Sequence, residues 1–329
     1  MKQLLTGFAL SASILGGAVS NDAAALNIVL TNDDGWSAQG IQAMKSALVG
    51  AGHSVVLSGS LTQQSASSAA INLSSLEIVK QNSMDGALEY SVALSDGITG
   101  AEPVTAGAVG ISIAETVLGG AAPDLLISGI NAGQNTGAIA LLSGTVGAAN
   151  SALSTVIGNH QLPAIAISTD ERCDDHTPEC EALNQRQFDT VAQWLVDFIA
   201  TLESVSRSGE LMPQGVGLNI NYPPADQIYG ARIARQGQVG ILRGVPSSVV
   251  YGCREECVDV DDGTAVAGGV LDYAPVSLQE ARDADTTLTG LNYVAIVPID
   301  GDFSLNKKPR KGSRKFLSKL RRTLRMMGY

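Results

Sequence analysis

Short apolar runs along this chain stop abruptly at small or polar residues. Ile28-Val29-Leu30 meets Thr31-Asn32-Asp33-Asp34-Gly35, Val55-Val56-Leu57 leads into the polar stretch Thr62-Gln63-Gln64-Ser65, and Leu125-Leu126-Ile127 ends in Ser128-Gly129. Apolar runs of this length, bounded by Gly, Asn, Asp and Ser, predict buried strands near 27–31, 54–58, 125–129 and 164–168. The longer stretches between them predict helices near 38–50, 106–119, 144–157 and 185–203. Strand and helix in alternation predict an α/β fold: a mostly parallel, Rossmann-like sheet with helices on both faces. From about residue 215 to 300 strand and turn signals dominate, as at 216–222 and 293–298, so a strand-rich C-terminal part is expected.

The ends of two strands carry the candidate chemistry. In open α/β sheets ligands sit outside the carboxyl ends of the strands. Asp33 and Asp34 place two like charges at such an end, where they repel unless something positive stands beside them. A hard divalent cation suits carboxylate oxygens; a polar turn with Asn32 or Asp33 capping the next helix is the competing reading. The second strand end runs through Asn131, Gly133, Asn135 and Gly137 to Ser143-Gly144-Thr145, which opens an Ala- and Gly-rich helix. Free N–H groups at a helix start suit a phosphate. Neither a Gly-Lys-Ser/Thr loop nor a Gly-x-Gly-x-x-Gly after the first strand is present, so the usual nucleoside-triphosphate and dinucleotide loops are excluded. One acidic strand end beside one rich in Asn and Ser favours a shared metal–phosphate site.

These segments resemble the SurE family of divalent-metal-dependent 5′/3′-nucleotidases. The matching residues are Thr31-Asn32-Asp33-Asp34-Gly35 with Gly40-Ile41, Gln64-Ser65, Ser128-Gly129-Ile130-Asn131-Ala132-Gly133-Gln134-Asn135, Ser143-Gly144-Thr145-Val146-Gly147-Ala148-Ala149, and Leu218-Asn219-Ile220-Asn221-Tyr222-Pro223. The resemblance covers about residues 26 to 300. It implies one divalent cation, Mg or Mn, held by Asp33, Asp34, Ser65 and Asn131, with Asp33 and Asp34 as catalytic residues. It also implies that Asn32, Asn135, Ser143, Gly144 and Thr145 lie around the substrate phosphate, and that the C-terminal part supplies an extended hairpin for homo-oligomer contacts, dimer or tetramer. Three departures bear on the pocket wall. The family's Gly-Thr-Pro-x-Asp corresponds to the looser Gly97 to Thr105 stretch, Gly137 is followed by Ala138-Ile139 rather than acids, and Ala66 stands where the loop after Gln64-Ser65 usually has glycine.

Composition adds a compartment and a tail. Met1-Lys2-Gln3, an apolar run from Leu4 to Val19 and the small residues around Ala18-Val19-Ser20 or Ala23-Ala24-Ala25 read as a signal peptide over 1–25. The expected location is therefore periplasmic or secreted. Four cysteines agree with export and read as disulfides paired sequentially, Cys173 with Cys180 and Cys253 with Cys257; zinc is the competing reading. A domain over 26–305 would then be followed by a basic tail at 306–329. Ten Lys or Arg and no acid fall between Lys307 and Arg325, so the rest of the chain carries −21 against the whole chain's −11. Phe316, Leu320 and Leu324 fall four apart. They predict an amphipathic helix that lies on an anionic membrane surface, docks on the acidic body, or remains a solvated tail. Nucleic acid is disfavoured as a partner because aromatic residues beyond Phe316 are missing from this stretch. Two function classes follow: a phosphomonoesterase acting on nucleoside monophosphates, or a catalytically weak nucleotide- or phosphate-binding protein of the cell envelope.

Overall fold

A computed structural model of the protein describes residues 25–206, 210–238, 242–243, 272–273, 280–301 and 313–329. The expected leader before residue 25 and the pair Cys253 and Cys257 lie outside the described residues.

The chain runs β1 (Asn27–Thr31), α1 (Gln39–Gly50), β2 (Ser54–Ser60), β3 (Leu76–Lys80), β4 (Leu88–Leu94), α2 (Pro103–Val117), β5 (Leu125–Ala132) and a 3-10 turn (Gly137–Leu141). It continues with α3 (Gly144–Leu153), β6 (Ala164–Thr169), α4 (Pro178–Ser204), β7 (Gly217–Tyr222), β8 (Gly230–Ile233), β9 (Leu242–Arg243), β10 (Asp272–Tyr273), α5 (Asp285–Gly290), β11 (Tyr293–Ile299) and α6 (Ser313–Met326). Among the described residues nine strands form one sheet in the order β3-β4-β2-β1-β5-β6-β7-β11-β8. The six from β4 to β7 are mutually parallel, while β3 and β11 run against their neighbours β4 and β7. The short strands β9 and β10 pair antiparallel apart from this sheet. The expected α/β architecture is therefore present, with antiparallel strands in the C-terminal part.

Alternation along the strands explains why both faces are covered. In β1, Ile28 and Leu30 belong to the core that holds Met44 and Leu48 of α1 and Phe188, Leu195 and Phe198 of α4, while Val29 belongs to the core that holds Ile111 of α2 and Leu153 of α3. Residues 76–80 form the edge strand β3, with four of its five side chains exposed, so it shows little of the apolar run that marks the central strands. Pro103 begins α2 at a position where its missing N–H costs nothing, and the Gly97 to Thr105 stretch leads into that helix. His53 is structural, its Nδ1 accepting from the Leu26 N–H at 3.1 Å.

The basic tail forms helix α6, and its apolar face is inside the protein. Phe316, Leu320 and Leu324 are buried in the same core as α4, and Tyr329 accepts a hydrogen bond from the Trp194 indole at 3.0 Å. Lys319 donates from Nζ to the carbonyls of Glu210 and Leu211, both at 2.7 Å. A boundary at 305/306 thus cuts through a packed core. The membrane reading also loses its apolar half, because the three residues that would enter lipid already contact α4 and the sheet.

Candidate active site

The order of connections places the site. β1 is flanked by β2 on one side and β5 on the other, so consecutive connections diverge at the β1/β5 pair and leave a crevice beyond their carboxyl ends. Asp33 and Asp34 follow β1, and Asn131 lies near the end of β5. The loop after β2 joins them, because the Gln64 N–H donates to the Asp33 carbonyl at 2.7 Å. Gly35, at φ 112°, turns the chain away from the carboxylates, and the Trp36 N–H is anchored on the Ser60 carbonyl at 2.8 Å.

Both carboxylates are held by named donors. The Thr145 hydroxyl donates to Asp33 Oδ1 at 2.6 Å, and the Ala132 N–H donates to Asp34 Oδ2 at 2.9 Å. The start of α3 reaches Asp33 this closely because residue 144 is glycine. A Cβ there would stand 2.9 Å from Asp33 Oδ2 and 2.8 Å from Ser67 Oγ. Even so, burial raises the pKa of Asp33, outweighing the Thr145 hydroxyl and the nearby N–H groups. Burial, followed by the charge of Asp33, raises Asp34 to about 7. Neither carboxylate forms an ion pair among the described residues.

A divalent cation fits this arrangement. Two adjacent carboxylates, Asp33 buried and Asp34 partly buried, with no basic partner among the described residues, are costly in the ionised form unless a cation compensates them. Three buried oxygens around the same strand ends, Asn32 Oδ1, Ser67 Oγ and Ser128 Oγ, have no hydrogen-bond partner among the described residues, and oxygen donors are what magnesium and manganese take. Asn131 donates its amide N–H to the Gly133 carbonyl at 2.7 Å, which leaves Oδ1 available as a ligand. Ser65 is exposed in the loop next to Gln64.

The residues expected around a phosphate have definite partners. Ser143 caps α3, its Oγ accepting from the Val146 N–H at 3.1 Å, so its own hydroxyl proton remains free to donate. Asn32 donates to the Gly35 carbonyl at 2.9 Å. Asn135 is tied into a buried polar network. Its amide donates to Ser168 Oγ at 2.9 Å, its N–H to Asn221 Oδ1 at 2.7 Å, and its carbonyl accepts from Asn219 and Asn221. One of the two N–H groups of its side-chain amide is engaged in this way, and the network fixes the shape of the loop. Asn219 and Asn221 belong to the late strand motif, whose alternation puts both on the α3 face of β7 with Leu218 and Ile220 on the other.

Sequence reasoning missed three supports. Asp285, fully buried, accepts from the N–H groups of Gly137, Gly237 and Thr286 and so ties the loop after Asn135 to the C-terminal part. Asp170 holds Gln134 through both its N–H (2.7 Å) and its side chain (2.9 Å). Ser67 stands beside Gly144. An isolated Asp or Ser in a loop has no periodic signal, and only the fold brings these three to the site. Ala66 adopts φ 62°, a left-handed conformation that explains why glycine suits that position in the resembling loop.

Gly40, in the Gly-Ile pair after the acidic motif, has a steric reason. A Cβ on it would lie 2.1 Å from the backbone oxygen of Ile130, the residue before Asn131. Gly40→Ala is expected to lower stability by about 1–3 kcal/mol and to reduce turnover as Asn131 shifts. Thermal melting and an activity assay on the same preparation check it; an unchanged melting temperature would mean that α1 moves freely away from β5.

Comparison with known proteins agrees with this geometry. The family profile described as Survival protein SurE matches residues 28–241. A protein named 5′-nucleotidase SurE from Gloeobacter violaceus is 30% identical over 281 residues, 85% of this chain and 91% of that one. One of the same name from Actinobacillus pleuropneumoniae serotype 5b is 31% identical over 282 residues, covering 85% and 95%. The crystal structure of the SurE protein from Aquifex aeolicus superposes with a TM-score of 0.59 over 89% of this chain and 99% of that one, at 23% identity, a likeness of fold. With a profile match across the sheet core and relatives aligned over nearly their whole length, the chain belongs to the SurE family.

Proposed function

We propose that this protein is a divalent-metal-dependent phosphomonoesterase of the 5′-nucleotidase type, acting on nucleoside monophosphates. The observation that carries this reading is the uncompensated carboxylate pair Asp33 and Asp34, set against the start of α3 and beside the Asn131 carbonyl. Asp33, Asp34 and Asn131, with Ser65 from the adjoining loop, would hold the cation. When bound, it neutralises phosphate charge and lowers the pKa of a water. The protein's own residues do the rest. Thr145 and Ala132 fix the two carboxylates, and the Ser143 hydroxyl donates to a phosphate oxygen. Asp170 and Asp285 hold the Asn131–Gly137 loop as a preorganised wall, which limits reorganisation in the transition state. The names of the relatives support the substrate class.

The test is hydrolysis of a panel of nucleoside monophosphates and other phosphomonoesters by the purified protein, with manganese or magnesium and then with EDTA. Cation-dependent release of phosphate is expected. Tight nucleotide binding without release would favour the envelope binding protein instead.

Export and self-association complete the proposal. Residues 1–25 act as a signal peptide, and the mature protein works as a homo-oligomer in the periplasm or medium. The structure joins Cys173 to Cys180, closing a loop of sequence separation 7, and such bonds persist in oxidising compartments. Protein recovered from the periplasm and denatured without reductant is expected to show no titratable thiol. Four thiols would argue for a reducing compartment and revive zinc, for which Cys173, Asp175 and Cys180 lie close enough together.

A further inference from the structure

We infer that a groove between edge strand β8 and helix α6 is a second anion site, which takes a small ligand bearing more than one phosphate group. The groove is a cavity of about 550 Å³ lined by Arg232 and Arg235 on one wall and Arg321 and Arg325 on the other. That volume is in the range of small-molecule sites. β8 lies five strand positions from β1, roughly 24 Å at ~4.8 Å per strand, so the groove is separate from the Asp33/Asp34 crevice.

The charges here run against the rest of the molecule. The chain carries −11 overall, yet among the described residues the only acidic side chain in the groove wall is Asp283, which pairs with Arg235 at 2.7 Å. Arg321 and Arg325 form no ion pair among the described residues. They lie four apart on one helix, where like charges are neighbours and repel. Arg232 is positioned by its guanidinium lying 4.9 Å from the centre of the Tyr293 ring. Guanidinium groups donate in planar forks that match phosphate oxygens in pairs, and opposing walls with two guanidinium groups each suit an anion with several phosphates better than a single one. The groove is concave, and the apolar side of α6 is buried, so nothing here enters a bilayer; a free phosphorylated anion is favoured over a lipid surface.

The probe is inorganic tripolyphosphate, titrated calorimetrically into the full-length protein in EDTA. Without a cation the carboxylate pair repels anions, so binding then reports this groove whether or not the protein proves to be a phosphatase. Arg321→Gln/Arg325→Gln and, on the other wall, Arg232→Gln are each expected to weaken binding at least ten-fold, with unchanged melting and unchanged phosphomonoester turnover. Equal affinity in wild type and both variants would overturn the site. So would arginine-dependent sedimentation with phosphatidylglycerol vesicles, absent with phosphatidylcholine vesicles, if tripolyphosphate failed to bind; that outcome would assign the surface to a membrane.

Discussion

Replacing Asp34 with Asn is expected to reduce cation-dependent phosphomonoester hydrolysis by about a thousand-fold or more, ~4 kcal/mol of transition-state stabilisation, while the fold survives. Among the described residues Asp34 accepts only from Ala132, and it lies partly buried next to Asp33, so its removal takes away a cation ligand and a like-charge repulsion together. The metal-free variant should therefore melt no lower than wild type. Its pH response should differ as well. In wild type without cation, folded Asp34 has a pKa raised from 3.8 to about 7. Between those values the folded state holds a proton that the unfolded state has released. Stability from this group is therefore greatest below pH 4 and declines as pH rises toward 7. Asp34→Asn should lack that decline. Turnover within a few-fold of wild type would sink the assignment of Asp34 to the cation.

The part of this site that was legible in sequence is the part built from contiguous residues. An apolar strand followed at once by two acids is visible without a fold, and so is a strand running into Asn131. Their meeting depends on β1 and β5 being neighbours, which local patterns do not encode; the family resemblance supplied it. The central strands were legible because burial on both faces makes them continuously apolar. The edge strand β3 was not, because its side chains face solvent, and in β4 the polar Glu89 and Ser91, which the fold buries, interrupt the apolar run that marks the other central strands. Asp285 was invisible for another reason. It is one acid among many in the sequence, and its role arises from two N–H groups contributed by segments about 50 and 150 positions away, with a third from the adjacent Thr286. The family resemblance implies phosphate contacts for Asn135, Ser143 and Thr145. Hydrogen-bond accounting shows that Asn135 and Thr145 first satisfy the protein itself.

The fate of the C-terminal helix tests the same distinction between pattern and packing. Its ten cations made a detachable tail a fair expectation, and on that view truncation after Asn306 would be harmless. The packing predicts the reverse. Removing α6 exposes the surface now covered by Phe316, Leu320 and Leu324, which are 3%, 0% and 6% accessible. At about 1.5–3 kcal/mol for each fully buried large apolar side chain, the loss is comparable to the whole ~5–15 kcal/mol stability of an ordinary domain. The truncation also strands the Trp194 indole and the carbonyls of Glu210 and Leu211 without their present donors or acceptors. Expression of the truncated chain should give insoluble or unfolded protein, and the milder Leu320→Ala should lower stability by about 2–5 kcal/mol without altering turnover of the folded fraction, since every proposed cation ligand precedes residue 135. Circular dichroism melts of Leu320→Ala beside wild type decide the point. A melting temperature within a degree of wild type would mean that α6 does not pack on the body in solution.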